Sequence, residues 1–307
     1  MVTRHSYATI DGLRDYLSGT SYSSGWTSDT SILRRILESA SRRIDNYVGM
    51  QSFGARTETH YFDIGGGQLR NSPQNLAPSR NTLDIGVFDY YENAIPLDSW
   101  LVSATTVTSY KHTDRSESET LTAGYNADYW LEPYNSTPKT RLKLNEDTAK
   151  ALHGGQQTLA IAGTWGYSND LSEEKTTTGA ITSTTETSWG VNDASGLSAI
   201  QTILVGSEQM YITGISSNTL TVIRGVNGTT ASTHSAGAKV YGYEYHPIVE
   251  QACLDLSKIF FRDRDMGTTL TIGSGEEGIT RSDADAKSVL DTLDEFRSIT
   301  ADSEVYF

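Results

Sequence analysis

The sequence predicts an α+β chain: a helical framework, built from an N-terminal helix pair and C-terminal helices, with a β-sheet region and an inserted small all-β domain. Three observations predict it. Apolar residues recur at three- and four-residue spacing near both ends of the chain. Short alternating runs separated by turn residues fill the middle, and a Thr-, Ser- and Gly-rich stretch follows them.

Thr9 to Leu17 combines a threonine cap, an early acid at Asp11 and helically spaced apolar residues. A polar loop, Ser18 to Ser28, leads to a second helix, where Ile32, Leu33, Ile36, Leu37, Ala40, Ile44, Tyr47 and Val48 form one stripe. Ser28 and Asp29 stand at its start and Gly49 just past its end, the usual asymmetry of caps. Arg34, Arg35, Arg42 and Arg43 lie mainly on the other face, as a solvated, internally paired surface or as a contact for an acidic neighbouring subunit. Strands are predicted at Thr59–Asp63, Thr82–Ile85, Trp100–Val102, Thr106–Tyr110, Tyr129–Leu131, Arg141–Leu144 and Leu159–Trp165.

Between about Leu171 and Tyr243 the apolar runs Thr202–Val205, Gln209–Thr213, Thr219–Ile223 and Lys239–Tyr241 alternate with turn signals such as Ser217-Asn218 and Val226-Asn227-Gly228. A disordered linker would not keep placing Ile, Val, Leu and Tyr in strand-length runs. Pro247 opens a further helix through Phe260, Met266 to Gly278 is a glycine-rich arm, and Ser282–Asp285 is a capping-box-like start. Ala286, Val289, Leu290, Leu293 and Phe296 line one face of the last helix; from Glu276 to Phe307 nine acidic and three basic side chains leave a net of −6. The expected organisation is a domain of residues 1–170 and 244–307, an inserted β module at 171–243 looped out from it, and a C-terminal arm at 266–307.

Composition narrows the function. Acidic residues outnumber basic ones 38 to 24, for a net charge of −14. Gripping DNA or an anionic membrane needs clustered Lys and Arg, so neither is expected, whereas DNA could slide past without sticking. Cys253 is the only cysteine, which rules out an intrachain disulfide and cysteine-rich zinc sites. No apolar run approaches the roughly 20 residues that span a bilayer, and the first residues lack an apolar signal region, so a soluble, cytoplasmically made chain is expected.

Reactive motifs are sparse. Ile64-Gly65-Gly66-Gly67-Gln68 lacks the Lys-Ser/Thr of a phosphate loop. The six histidines show no metal-binding spacing, and no Gly-x-Ser-x-Gly elbow is present. Asp263-Arg264-Asp265-Met266-Gly267 resembles a calcium loop only superficially, since the glycine comes one residue early and Ser274 stands where glutamate should be. The acidic pairs Glu173-Glu174 and Glu276-Glu277 sit in polar loops, where nothing raises a carboxyl pKa for general-acid work. No catalytic residue, cofactor or metal is assigned, and the chain reads as non-enzymatic. The aromatics Tyr125, Tyr129, Trp130, Tyr134, Trp165 and Tyr167 are the one suggestive cluster, as sheet packing, subunit contact or a sugar platform.

Several segments resemble the head–tail connector (adaptor) family of tailed bacteriophages. They are Tyr7–Leu17, then Leu33–Tyr47 with its closing Ile44-Asp45-Asn46-Tyr47, the stretch Ala127–Pro133, and the helix opening His246–Cys253. Thr202–Thr213 and Thr219–Thr230 resemble a small β module recurrent in phage virion proteins. The resemblance implies a structural virion protein at the neck, assembled in the host cytoplasm. Its subunits form a ring, usually of twelve, docked beneath the portal protein and meeting tail, stopper or tail-terminator proteins. DNA would pass through the lumen without specific binding, and no membrane is involved. Under this reading Arg34, Arg35, Arg42 and Arg43, with Val289, Leu290, Leu293 and Phe296, are the candidate subunit or portal interface. Two alternatives remain: a carbohydrate-binding or adhesion protein, suggested by the module and the aromatics, and a particle-borne cell-wall hydrolase.

Overall fold

Caps and apolar spacing place the helices of the computed structural model, which describes residues 4–18, 29–49, 52–64, 94–145, 150–266 and 280–297. Helix α1 (Ile10–Leu17) begins where the Thr9 hydroxyl accepts a hydrogen bond from the Gly12 amide. Helix α2 (Thr30–Val48) begins at Asp29, whose carboxylate accepts from the Ser31 and Ile32 amides, and stops at Gly49 with φ +68°. Helix α3 (Pro247–Met266) opens on its proline. Helix α4 (Thr280–Asp291) is followed by a 3₁₀ turn at Asp294–Phe296. The turn at Gly65–Gln68, the strand at Thr82–Ile85, the arm residues Gly267–Gly278 and the capping side chain of Ser282 lie outside the described residues.

The predicted helical framework is corrected. The protein is mostly β, and its strands form two antiparallel sheets, one a half-barrel. Helical stripes stand out in a sequence because they are long, whereas strands of four or five residues carry little individual signal. Each sheet closes over a hydrophobic core of its own, and helices add a second cover only to the sheet that follows residue 168.

The chain divides into two compact units, residues 55–168 and residues 1–54 with 169–307. The 55–168 unit contains β1 (Arg56–Ile64), β2 (Ala94–Tyr110), β3 (Ser118–Leu121), β4 (Tyr129–Glu132), β5 (Lys139–Leu144) and β6 (Gly155–Trp165). They pair in the order β1-β6-β2-β5-β4, with β3 beside β2. The long β2 joins the two runs read separately as Trp100–Val102 and Thr106–Tyr110. Its register slips against β6 between Leu101 and Ser103 and again between Ala104 and Thr106, which bends the strand and curls the sheet. Gly163 of β6 faces this bend, and a Cβ there would run into the Ser103 carbonyl. Ile95, Leu101, Val107, Leu142, Leu159, Ile161 and Trp165 fill the hollow.

The second unit contains the helices and β7 (Lys175–Thr176), β8 (Ser188–Gly190), β9 (Thr202–Val205), β10 (Glu208–Ser216), β11 (Thr219–Ile223) and β12 (Lys239–Gly242), paired in the order β7-β12-β9-β10-β11-β8. Met210, Ile212, Leu220, Val222, Val205 and Val240 form its core. The opposite face of β10 is buried as well, through Gln209 and Tyr211. Tyr211 donates to Glu38 of α2 at 2.7 Å and lies under Arg34, and Gln209 accepts from Asn227 at 2.8 Å. The segment Arg4–Ala8 runs beside these contacts: the Arg4 amide donates to Asn227 at 2.7 Å, the Arg4 carbonyl accepts from Thr202, and His5 meets Tyr245 at 2.7 Å. Within this unit the β module is therefore stitched to the helices by the first few residues of the chain.

Candidate functional site

Helix α2 carries four arginines, and the structure sorts them. Arg34 pairs with Glu38 at 3.2 Å and sits 5.4 Å from the Tyr211 ring centre. Arg42 donates to the His5 carbonyl at 2.7 Å and pairs with buried Asp45 at 3.2 Å. Both hold the unit together. Arg35 and Arg43 are exposed, with no hydrogen bond or ion pair among the described residues. They flank a surface groove between α2 and α3, formed by two adjoining hollows of about 500 Å³ each. Ile32, Ile36 and the half-buried Phe260 give it an apolar floor, and Arg264 closes one end. Its one carboxylate, Glu38, is already engaged by Arg34 and Tyr211. The groove is thus a cationic rim over an apolar base in a chain of net charge −14.

The candidate residues on α4 and the 3₁₀ turn that follows it have a different fate. Leu290, Leu293 and Phe296 are buried within their own unit, and Val289 is half-buried. Phe296 meets the rings of Phe53 at 5.3 Å and His246 at 5.4 Å. Tyr47 donates to Asp291 at 3.0 Å and to Asp294 at 2.6 Å, and Arg262 pairs with Asp285 at 3.1 Å. While α4 stays docked, its apolar face is closed to a neighbour.

Other reactive groups are held by structural partners. Glu208 is fully buried and clamped by Arg224 at 2.7 and 2.8 Å, by the Gly225 and Ser232 amides, and by His234 at 2.9 Å. Ser232 and Glu208 both approach the same ring nitrogen of His234, so the three cannot relay a proton as a catalytic triad does. The cluster is an ionic lock that ties Arg224–His234 to β10. Burial pushes the Cys253 thiol up to about 11, which makes it a poor nucleophile. Asp263, in the calcium-like stretch, lies within α3 and meets Arg262 at 3.5 Å. Among the described residues, no group of three or more His, Cys, Asp and Glu side chains could hold a metal ion.

In the 55–168 unit, His60 is sandwiched between Asp98 at 2.9 Å and Glu58 at 3.0 Å and stacks on Trp165 at 3.8 Å. Burial disfavours its charge, but the hydrogen bonds to Asp98 and Glu58 outweigh burial and raise its pKa to about 9. The aromatic cluster separates in the same unit. Tyr129 and Trp165 are core, Tyr167 packs on Trp100 at 5.0 Å, and Tyr125, Trp130 and Tyr134 form a surface trio with ring centres 6.3 and 5.8 Å apart. Tyr125 is 83% exposed and Tyr134 55%.

Sequence reading had singled out the four arginines without separating them, and it missed the Arg4–Ala8 segment and the Glu208 lock. Glu208, a lone acid directly before the strand-like run Gln209–Thr213, was the available signal for the lock, since a buried carboxylate needs a cation. No protein-family model, curated protein or solved structure matches this chain.

Proposed function

We propose that this chain is a non-enzymatic structural protein of a tailed bacteriophage, a head–tail connector subunit that forms a ring under the portal, extends the DNA channel and offers the tail its attachment site. One observation carries the reading: three of the segments that resemble the connector family, Tyr7–Leu17, Leu33–Tyr47 and His246–Cys253, are far apart in sequence and neighbours in space within one unit. Tyr16 of α1 donates to Asp255 of α3, 239 positions away, and Ser41 of α2 lies 3.6 Å from the Cys253 sulfur. The exposed arginine groove of the same helices supports an assembly role, and a net charge of −14 suits a lumen that lets DNA pass. Electron microscopy of the purified protein mixed with its portal tests it. Rings seated on the portal are expected; particles that join their tails without this protein would end the proposal.

A second reading, a glycan-binding protein, is favoured by the exposed Tyr125 and Tyr134 flanking the half-buried Trp130. Binding on a glycan array, lost on Trp130→Ala, would support it. A ring-forming protein that binds no glycan would remove it.

A further inference from the structure

The groove between α2 and α3 has a counterpart at the other end of α3. Asp170, Glu244 and Glu250 are exposed and have no ion pair among the described residues. The Glu244 amide donates to the Asp170 carbonyl at 3.0 Å, which puts these two residues side by side. Partial burial of the carboxyl, and then the neighbouring Glu244 carboxylate, raises the pKa of Glu250, the behaviour of a crowded acid without a cation. At a rise of about 1.5 Å per residue, Glu250 and Phe260 are about 15 Å apart along the helix. An acidic knob therefore stands near the start of α3, and near its end lies the groove flanked by Arg35 and Arg43, which like the knob have no ion pair among the described residues.

We infer that the groove receives a second copy of this chain, the knob of one subunit (Asp170, Glu244, Glu250) entering the groove of the next (Arg35, Arg43, Phe260). The Glu244 and Glu250 carboxylates meet the Arg35 and Arg43 guanidinium groups, and Phe260 with Ile36 supplies the dry floor on which charged hydrogen bonds strengthen. Because knob and groove are different surfaces, each contact leaves one of each open, so copies add head to tail until a ring closes. This deepens the connector proposal and rests on it.

A charge swap tests the contact. Arg35→Glu with Arg43→Glu, and separately Glu244→Arg with Glu250→Arg, alter only exposed side chains, and a thermal melt of each variant establishes that it folds. Each double variant alone is expected to associate at least about 100-fold more weakly than the natural protein, because like charges then face each other. An equimolar mixture should recover association, since the acidic groove takes the basic knob and the basic groove the acidic knob. Particles larger than dimers in the mixture support the head-to-tail contact, and dimers alone overturn it. If both variants assemble unaided while rings still form on the portal, the contact is wrong and the connector reading survives. If the natural protein stays monomeric even with its portal, both fall.

Discussion

The sheet of residues 55–168 buries its hydrophobic side by curling, through slips in β2 and the close approach at Gly163, so its largest core group, Trp165, is covered by strands of the same sheet. The sheet of the module stays small, and its central strand β10 is buried on both faces, by its own core on one and by α2 and the Arg4–Ala8 segment on the other. The first solution needs only local curvature. The second makes a short sheet depend on helices and a terminal segment about 200 positions away. A strand buried on both sides must satisfy its polar groups inward, which is why Gln209, Tyr211 and Glu208 all have partners.

The sharpest way to break this comparison is Glu208→Ala. It leaves Arg224 and His234 buried without their acid and should cost about 3–5 kcal/mol, read as early exchange of the β8–β12 amides while those of β1–β6 stay protected. Simultaneous loss of protection in both sheets would mean that they are not independent. In the other unit, Trp165→Ala empties the curled core and should cost about 3–5 kcal/mol in urea unfolding, with the module unaffected. Tyr211→Phe removes only the hydroxyl that reaches Glu38, and a loss of about 1 kcal/mol is expected; a neutral result would show that the tie between module and α2 lies elsewhere.

The pH response belongs to the 55–168 unit. The folded pKa of His60, about 9, lies above its unfolded value near 6.5. Its contribution is therefore complete below the unfolded value and disappears as pH rises through about 9. A melting profile should fall across that window, and His60→Gln should flatten it; a variant with the same slope would remove His60 as the cause. The smallest effect expected is Arg35→Ala, within about 0.5 kcal/mol because nothing among the described residues engages it, whereas Arg42→Ala, which strips a partner from buried Asp45, should be clearly destabilising.

Much of the local structure was legible. Thr9, Asp29 and Gly49 cap helices as their chemistry requires, and Thr202–Val205 and Thr219–Ile223 are strands at those limits. The balance of the fold was not, because β2 is one bent strand whose middle reads as a break, and β3, β7 and β8 are too short to show a period. The candidate site was half legible. Four arginines on one helix were visible, but which two remain exposed depends on Tyr211, His5 and Asp45.

The sequence by itself determined where helices start and stop, which runs can be strands, and the excess of negative charge, because these follow from the chemistry of each residue and its near neighbours. Only the tertiary structure decided that β outweighs helix, that Leu290, Leu293 and Phe296 turn inward, and that Arg35 and Arg43 face out. Burial and pairing depend on residues distant along the chain, and no local period records who those neighbours are.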